Sequence, residues 1–292
     1  MKPSLVMIHV CFILFTRNIY IVDMSDPSFM TSLKSGGLAG MAVDISLFPL
    51  DTIKTRLQSK QGFLAAGGFR NIYSGLGPAA IGSAPNAAIF FCTYDTVKRI
   101  AGHKLGYQDS AAVHMVAAST GEVTSCLVRV PVEIVKQRRQ ARAAGSSIDI
   151  VRDTWRGEGA RGFYRGYLTT VIREIPFSLI QFPLWEGLKK HWSSVTGGQP
   201  KPWESSLCGA VAGGVAAALT TPLDVAKTRI MLAKAGSEEA RVGTLGIWRI
   251  VAQESGARGL FAGVTPRVIW ISVGGAVFFG VYEKSKSLIE SL

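Results

Sequence analysis

Pro49-Leu50-Asp51-Thr52-Ile53-Lys54-Thr55-Arg56 closes the first long apolar stretch of the chain, and its pattern returns twice. The second copy reads Pro131-Val132-Glu133-Ile134-Val135-Lys136-Gln137-Arg138 and the third Pro222-Leu223-Asp224-Val225-Ala226-Lys227-Thr228-Arg229, with the prolines 82 and 91 residues apart. A period of this size means about three copies of one unit. Downstream of each copy, past a polar linker, stands an aromatic-x-Gly triplet: Tyr73-Ser74-Gly75, Tyr164-Arg165-Gly166 and Phe261-Ala262-Gly263. Nineteen residues after each glycine comes an aromatic-acid pair: Tyr94-Asp95, Trp185-Glu186 and Tyr282-Glu283. A base follows three residues after each acid: Lys98, Lys189 and Lys286. The register is the same in all three copies.

Composition points to a lipid environment. Of 292 residues, 48% are apolar and 18% charged, where a soluble domain carries roughly a quarter charged. Six apolar segments cover residues 29–58, 76–100, 111–140, 167–190, 203–231 and 264–289. About 20 apolar residues cross the hydrocarbon, and backbone polar groups in lipid are satisfied only in helices or closed barrels. These runs are too long for barrel strands. The expected fold is an all-α membrane protein: six transmembrane helices in three tandem helix pairs with pseudo-threefold symmetry. Residues 147–156 and 242–253 have the spacing of short surface helices in the linkers. The repeats are expected at residues 29–105, 106–196 and 197–292, forming one membrane domain.

Residues 1–28 are expected to lie outside the bundle. The apolar run from Leu5 to Phe15 is too short to span a membrane alone, and the segment reads either as an alternative start upstream of Met24 or as a disordered extension. The net charge of +12 sits at the ends of apolar segments, which suits anionic headgroups better than nucleic acid. Cys11, Cys92, Cys126 and Cys208 have no metal-ligand spacing and read as structural thiols. No metal and no cofactor is expected.

The prolines should kink the three odd-numbered helices and draw their ends toward one axis. Acid and base at i and i+3 share a helix face, so Asp51, Glu133 and Asp224 form a ring with Lys54, Lys136 and Lys227. Each acid can reach the base of the next helix: Asp51 to Lys136, Glu133 to Lys227, Asp224 to Lys54. Asp95, Lys98, Glu186, Lys189, Glu283 and Lys286 would form a matching ring at the other mouth. At any single position a solvated helix end explains such a pair. Threefold repetition at both ends argues against that, and two rings of moderate strength suit alternating access.

The Pro-x-acid-x-x-base pattern after a hydrophobic helix resembles the signature of the mitochondrial carrier family, over about residues 29 to 290. The resemblance implies a multi-pass antiporter of the mitochondrial inner membrane, acting as a monomer, with no catalytic residue. It makes the first ring a matrix gate braced by Gln58 and Gln140, with Met231 where a third glutamine would stand. It makes the second ring a cytoplasmic gate, and it implies cardiolipin at the helix N-termini that begin at Gly75, Gly166 and Gly263, near Arg161 and Arg165.

Between the rings the threefold repeat fails, which is where an asymmetric solute should be read. Arg173-Glu174 can grip an α-carboxylate and an α-ammonium. Asp44 adds a site for a second positive charge. Gly82 and Ser83 leave room, Asn86 can read a polar edge, and Trp270 offers a flat face for stacking or a cation–π contact. An amino acid, an extra cation and a flat polar ring together describe S-adenosylmethionine, and the strings Arg173-Glu174-Ile175-Pro176-Phe177-Ser178 and Gly121-Glu122 are similar to those of family members that exchange it for S-adenosylhomocysteine.

Structural alternatives stand beside these roles. Arg173-Glu174 is also explained as an ion pair between helices, Asp44 as a partner of Arg129 or Arg173, Trp270 as packing, and Asn86 as the partner of the carbonyl freed by Pro85. Glu122 and Arg129, seven residues apart on one helix face, read as an internal pair. Rival functions are a carrier of arginine, ornithine or another amino acid, a basic nucleic-acid-binding protein, and a methyltransferase. The last two lack a zinc pattern, a hydrophilic basic helix and a Gly-rich βα turn.

Overall fold

Proline 49 sits inside a 32-residue helix without ending it. In the computed structural model, which describes residues 27–105, 111–142, 145–198, 200–274 and 277, every regular element among those residues is helical. The sequence-predicted N-terminal extension, Glu283 and Lys286 thus lie outside the described residues, apart from Pro27 and Ser28 of the extension. The helices are α1 (Pro27–Gln58), α2 (Gly62–Ala65), α3 (Leu76–Leu105), α4 (Ala111–Gln140), α5 (Ser147–Glu158), α6 (Ala160–Phe163), α7 (Tyr167–Thr196), α8 (Pro202–Leu219), α9 (Thr221–Leu232), α10 (Glu238–Arg241), α11 (Thr244–Leu260) and α12 (residues 264–274).

The third proline behaves differently from the other two. Pro49 and Pro131 lie within continuous helices, whereas the third stretch breaks at Thr220 and bends by 62° between α8 and α9. The cause is local. Thr220 and Thr221 precede Pro222, and their hydroxyls donate to the Ala216 and Ala217 carbonyls over 2.7 Å each. Back-bonding of this kind bends helices, and the proline removes a further N–H. Leu47-Phe48 and Arg129-Val130 stand at the matching positions of the other copies and make no such bonds.

None of the described helices is by itself both long and apolar enough to cross a membrane; the bent α8–α9 pair is, by length and composition. By this measure the expected six spans are not each confirmed helix by helix. Ionisable side chains dilute them: Asp44, Asp51 and Lys54 in α1, Glu122, Arg129, Glu133 and Lys136 in α4, Arg173, Glu174 and Glu186 in α7.

α3 packs along α4 and α7 along α8, while α1, α4 and α9 meet pairwise. The triplet glycines hold this junction. Each has a positive φ: Gly75 at 95°, Gly166 at 82° and Gly263 at 74°. L-residues rarely adopt that region. Each also lies against the motif helix of the following repeat. A Cβ at Gly75 would stand 3.0 Å from the Lys136 carbonyl oxygen, one at Gly166 3.2 Å from Met231 Cγ, and one at Gly263 3.3 Å from the Lys54 carbonyl oxygen.

The linker helices appear where the sequence predicts them, as α5 and α11. α5 starts on a reciprocal cap: Ser146 accepts from the Asp149 N–H and Asp149 accepts from the Ser146 N–H. Those bonds hold the Asp149 carboxyl below the usual carboxylate range. α5 buries Ile150 and Thr154, and α11 buries Ile247 and Val251 against Val225, Ala226 and Ile230 of α9. The first linker holds only α2. There Arg56, fully buried, donates to the Gly68 and Arg70 carbonyls at 2.6 Å each. Its counterparts meet acids instead: Arg138 meets Glu158 at 3.0 Å, and Arg229 meets Glu239 at 3.1 Å and Glu254 at 3.0 Å.

Candidate functional site

Where α1, α4 and α9 converge, three ion pairs run head to tail around the junction. Lys136 lies 2.8 Å from Asp51, Lys227 2.6 Å from Glu133, and Lys54 2.7 Å from Asp224. Each joins one repeat to another, because acid and base at i,i+3 point to opposite neighbours. Asp224 and Lys227 are nearly inaccessible. Removing one partner of a buried pair costs about 3–5 kcal/mol, since the other charge is left uncompensated.

The two glutamines lock two of the three pairs. The Gln140 amide donates to Asp51 at 2.9 Å and accepts from the Thr55 hydroxyl at 3.0 Å. Gln58 donates to Asp224 at 2.9 Å and accepts from Thr228 at 2.6 Å. Met231 occupies the third position, buried against Cys126, Val130 and Ile134.

A second threefold element is absent from the expected site. The guanidinium Nε of Arg56 donates to the Gln140 carbonyl at 2.9 Å, that of Arg138 to the Met231 carbonyl at 3.1 Å, and that of Arg229 to the Gln58 carbonyl at 2.9 Å. Because the acceptor is main chain, the bond survives the change from glutamine to methionine. The signal in the sequence was the arginine two residues after each motif lysine.

Inward from the ring, charges continue in a chain. Arg129 pairs with Glu122 on its own helix and reaches Glu174 at 3.2 Å on α7. Glu174 also pairs with Arg173, whose Nε lies 3.9 Å from Asp224. Arg267, on α12 and almost wholly buried, lies 4.0 Å from Asp224 and donates to the Thr220 hydroxyl at 2.9 Å. The expected Glu122–Arg129 pair is therefore present and is one link of a longer network; Arg267 is a member that the sequence gave no reason to select, since its repeat counterparts are Ala79 and Thr170. Arg173 Nε, Arg129 Nε and Arg267 Nη1 are buried without a hydrogen-bond partner.

The remaining expected residues divide. Asp44 is partly buried on α1, and among the described residues it forms no ion pair with Arg129 or Arg173. Asn86 is partly buried, and among the described residues its Oδ1 accepts no hydrogen bond. Trp270 is partly buried on α12. Gly82 does not open onto free space: it is buried, and a Cβ there would stand 2.5 Å from Val132 Cγ1. The missing side chain lets α3 approach α4. Glu174 meets both Arg129 and Arg173 at its Oε1.

At the far end of α3 and α7 the pairing is different. Glu186 meets Lys189 at 2.7 Å within one helix, and that ammonium also lies 3.7 Å from the Trp185 ring centroid. Lys98 sits 5.8 Å from the Tyr94 ring centroid. Among the described residues no ion pair joins Asp95 or Lys98 to α7. One mouth is thus cross-linked by charge and the other, as far as it is described, is not. A cavity of about 620 Å³ lies at the linker surface, lined by Arg161, Tyr164, Arg165 and Gly166 among others. Within it Arg165 is already engaged, by Glu158 and the Ala233 carbonyl. No group of three or more acids, histidines or cysteines among the described residues could hold a metal ion.

Three similar charged helix ends, tied acid to base around one axis, define a membrane solute carrier, and the family model named mitochondrial carrier protein matches residues 25–66, 62–105, 107–195 and 198–291. The chain belongs to the mitochondrial carrier family; it is a transport protein and not an enzyme. Among its relatives, a Mus musculus protein named mitochondrial S-adenosylmethionine carrier protein is 55% identical over 91% of this chain and 97% of its own length. A Danio rerio protein of the same name is 55% identical over 89% of this chain and 98% of its own. A Drosophila melanogaster protein named S-adenosylmethionine mitochondrial carrier protein homolog is 54% identical, over 89% and 93% respectively.

Proposed function

We propose that this chain exchanges S-adenosylmethionine for S-adenosylhomocysteine across the mitochondrial inner membrane by alternating access, crossing the membrane six times as three helix pairs. The observation that carries this reading is Arg173: a buried guanidinium whose Nε lacks a partner and faces the ring acid Asp224 across 3.9 Å. It offers a donor to an α-carboxylate, and it already lies beside the ring that must open. The names of the relatives support the same solute.

In this reading the solute carboxylate takes the free face of Arg173. Asp44, which carries no ion pair among the described residues, receives the sulfonium. Asn86 and Trp270 receive the adenine edge and face. With Glu174 held by two arginines, the α-ammonium goes to Glu122 or to Glu174 once Arg173 has turned toward the carboxylate. Gly82 serves helix packing.

The three cross-helix pairs act as the matrix gate, and Asp95, Lys98, Glu186, Lys189, Glu283 and Lys286 as the cytoplasmic one. The described arrangement is closed at the first. The linker cavity, lined by Arg161 and by Tyr167 and Leu168 of the first turn of α7, suits a phosphate headgroup, and we assign it to cardiolipin.

Purified protein in liposomes loaded with S-adenosylhomocysteine tests the reading. Uptake of labelled S-adenosylmethionine that depends on internal S-adenosylhomocysteine is expected. Strong uptake of arginine or ornithine in its place assigns the chain to a different amino-acid carrier.

A further inference from the structure

The three corners of the ring are built from the same positions but not from the same atoms. At two corners a threonine follows the motif lysine and a glutamine from the facing repeat lies between that threonine and the motif acid. Gln140 is gripped by Thr55 and Asp51 of the first repeat, and Gln58 by Thr228 and Asp224 of the third. Parting those repeats breaks these hydrogen bonds of each amide. At the third corner the positions carry Gln137 in place of the threonine and Met231 in place of the glutamine. Met231 cannot donate. Gln137 instead turns back one helical turn and donates from Nε2 to Glu133 Oε1 at 3.1 Å. The amide has changed sides of the seam.

We propose that Gln137 is the third brace, a positioning residue that holds Glu133 from its own helix, and that the seam between the second and third repeats is therefore where the ring parts most readily. Because Gln137 and Glu133 move together on α4, this amide bond does not have to break when Lys227 leaves. The polar links that do cross at this corner are Lys227 to Glu133 and Arg138 to the Met231 carbonyl, with Arg165 to the Ala233 carbonyl and the looser Arg173–Asp224 contact at 3.9 Å beside them, and none is a glutamine amide. The corner also keeps unused acceptors: Glu133 Oε2 and Gln137 Oε1 are both buried without a partner. A donor brought to position 231 would find them waiting, which makes the asymmetry reversible by substitution. The inference rests on the ring being a gate, but not on which solute is carried.

The test is a double-mutant cycle on the full-length carrier with Gln137→Thr, Met231→Gln and the pair, measuring Tm in detergent and exchange kinetics in liposomes. Gln137→Thr alone should lower Tm by a few degrees, having removed the amide. The pair should restore Tm to the starting value or above, while turnover falls about fivefold with KM within about twofold, since one more cross-seam bond must break per cycle. An unchanged Tm for Gln137→Thr, no coupling between the two sites, or a stabilised double variant with undiminished turnover each overturns the proposal. If no solute in the panel is exchanged by the unaltered protein, the solute assignment fails, while the Tm cycle still reports on the brace.

Discussion

Gln58 donates to Asp224 across 2.9 Å although 166 residues separate them. The bond crosses from the first repeat to the third, onto an acid that Lys54 of the first repeat also holds at 2.7 Å. Asp224 has Arg173 and Arg267 near 4 Å as well. It is a heavily shared acid, joined both to the ring and to the inner charge chain.

Exchanging charges should reveal that sharing. Asp224→Lys and Lys54→Asp, taken singly, leave buried charges unpaired and should each abolish exchange and lower Tm, at a cost of about 3–5 kcal/mol. The double exchange should recover Tm only in part, because a lysine at position 224 then faces Arg173 and Arg267. The corresponding exchange at Asp51 and Lys136 has no such second arginine and should recover more. Thermal unfolding of the six variants checks this ordering.

Arg173→Ala should remove exchange while the fold persists, seen as an unchanged helical signal. Arg173→Lys keeps the charge but not the planar fork, and should still lower kcat/KM at least about tenfold. Uptake by Arg173→Ala at the unaltered rate would remove Arg173 from the site.

Asp44→Asn should discriminate between solutes. S-adenosylmethionine carries a sulfonium and S-adenosylhomocysteine does not, so loss of the carboxylate should weaken the first more than the second. A competition assay with both ligands measures the ratio. Equal weakening would assign Asp44 to the amino-acid end.

The same charge difference makes exchange electrogenic if no other ion moves. A potential of 100 mV, negative inside, favours inward movement of one positive charge by ~2.3 kcal/mol. A potential of that size, set by valinomycin and a potassium gradient, should therefore raise equilibrium accumulation of S-adenosylmethionine by up to about fiftyfold and leave S-adenosylhomocysteine homoexchange unaffected.

The triplet glycines should rank by what they touch. Gly75→Ala drives a methyl against the rigid Lys136 carbonyl at 3.0 Å, and Gly166→Ala against the flexible Met231 side chain at 3.2 Å. Both incur the cost of a positive φ, ~1–2 kcal/mol. Gly75→Ala should thus lower Tm further than Gly166→Ala.

The ring was legible in the sequence because its signal is arithmetic. Acid and base three residues apart on a helix share a face, and three copies in one register leave few ways to arrange them. The arginines at 56, 138 and 229 were equally periodic, yet a basic residue at a helix end has an ordinary solvated explanation until its main-chain acceptor is seen. Gly82 shows the opposite limit: a glycine reads as open space or as close packing with equal ease, and only the position of Val132 distinguishes them.

By itself the sequence determined the three units, their helical character, the identity of the charged ring and the asymmetric residues between its ends, because each follows from spacing along one chain. Tertiary structure alone decided which partner each charge takes: Glu174 bound to two arginines, Arg267 beside Asp224, Gln137 turned onto its own helix, and the 62° break before Pro222. Charged side chains are long enough to reach several neighbours, so periodicity limits their choices, and the packing of the helices makes the selection.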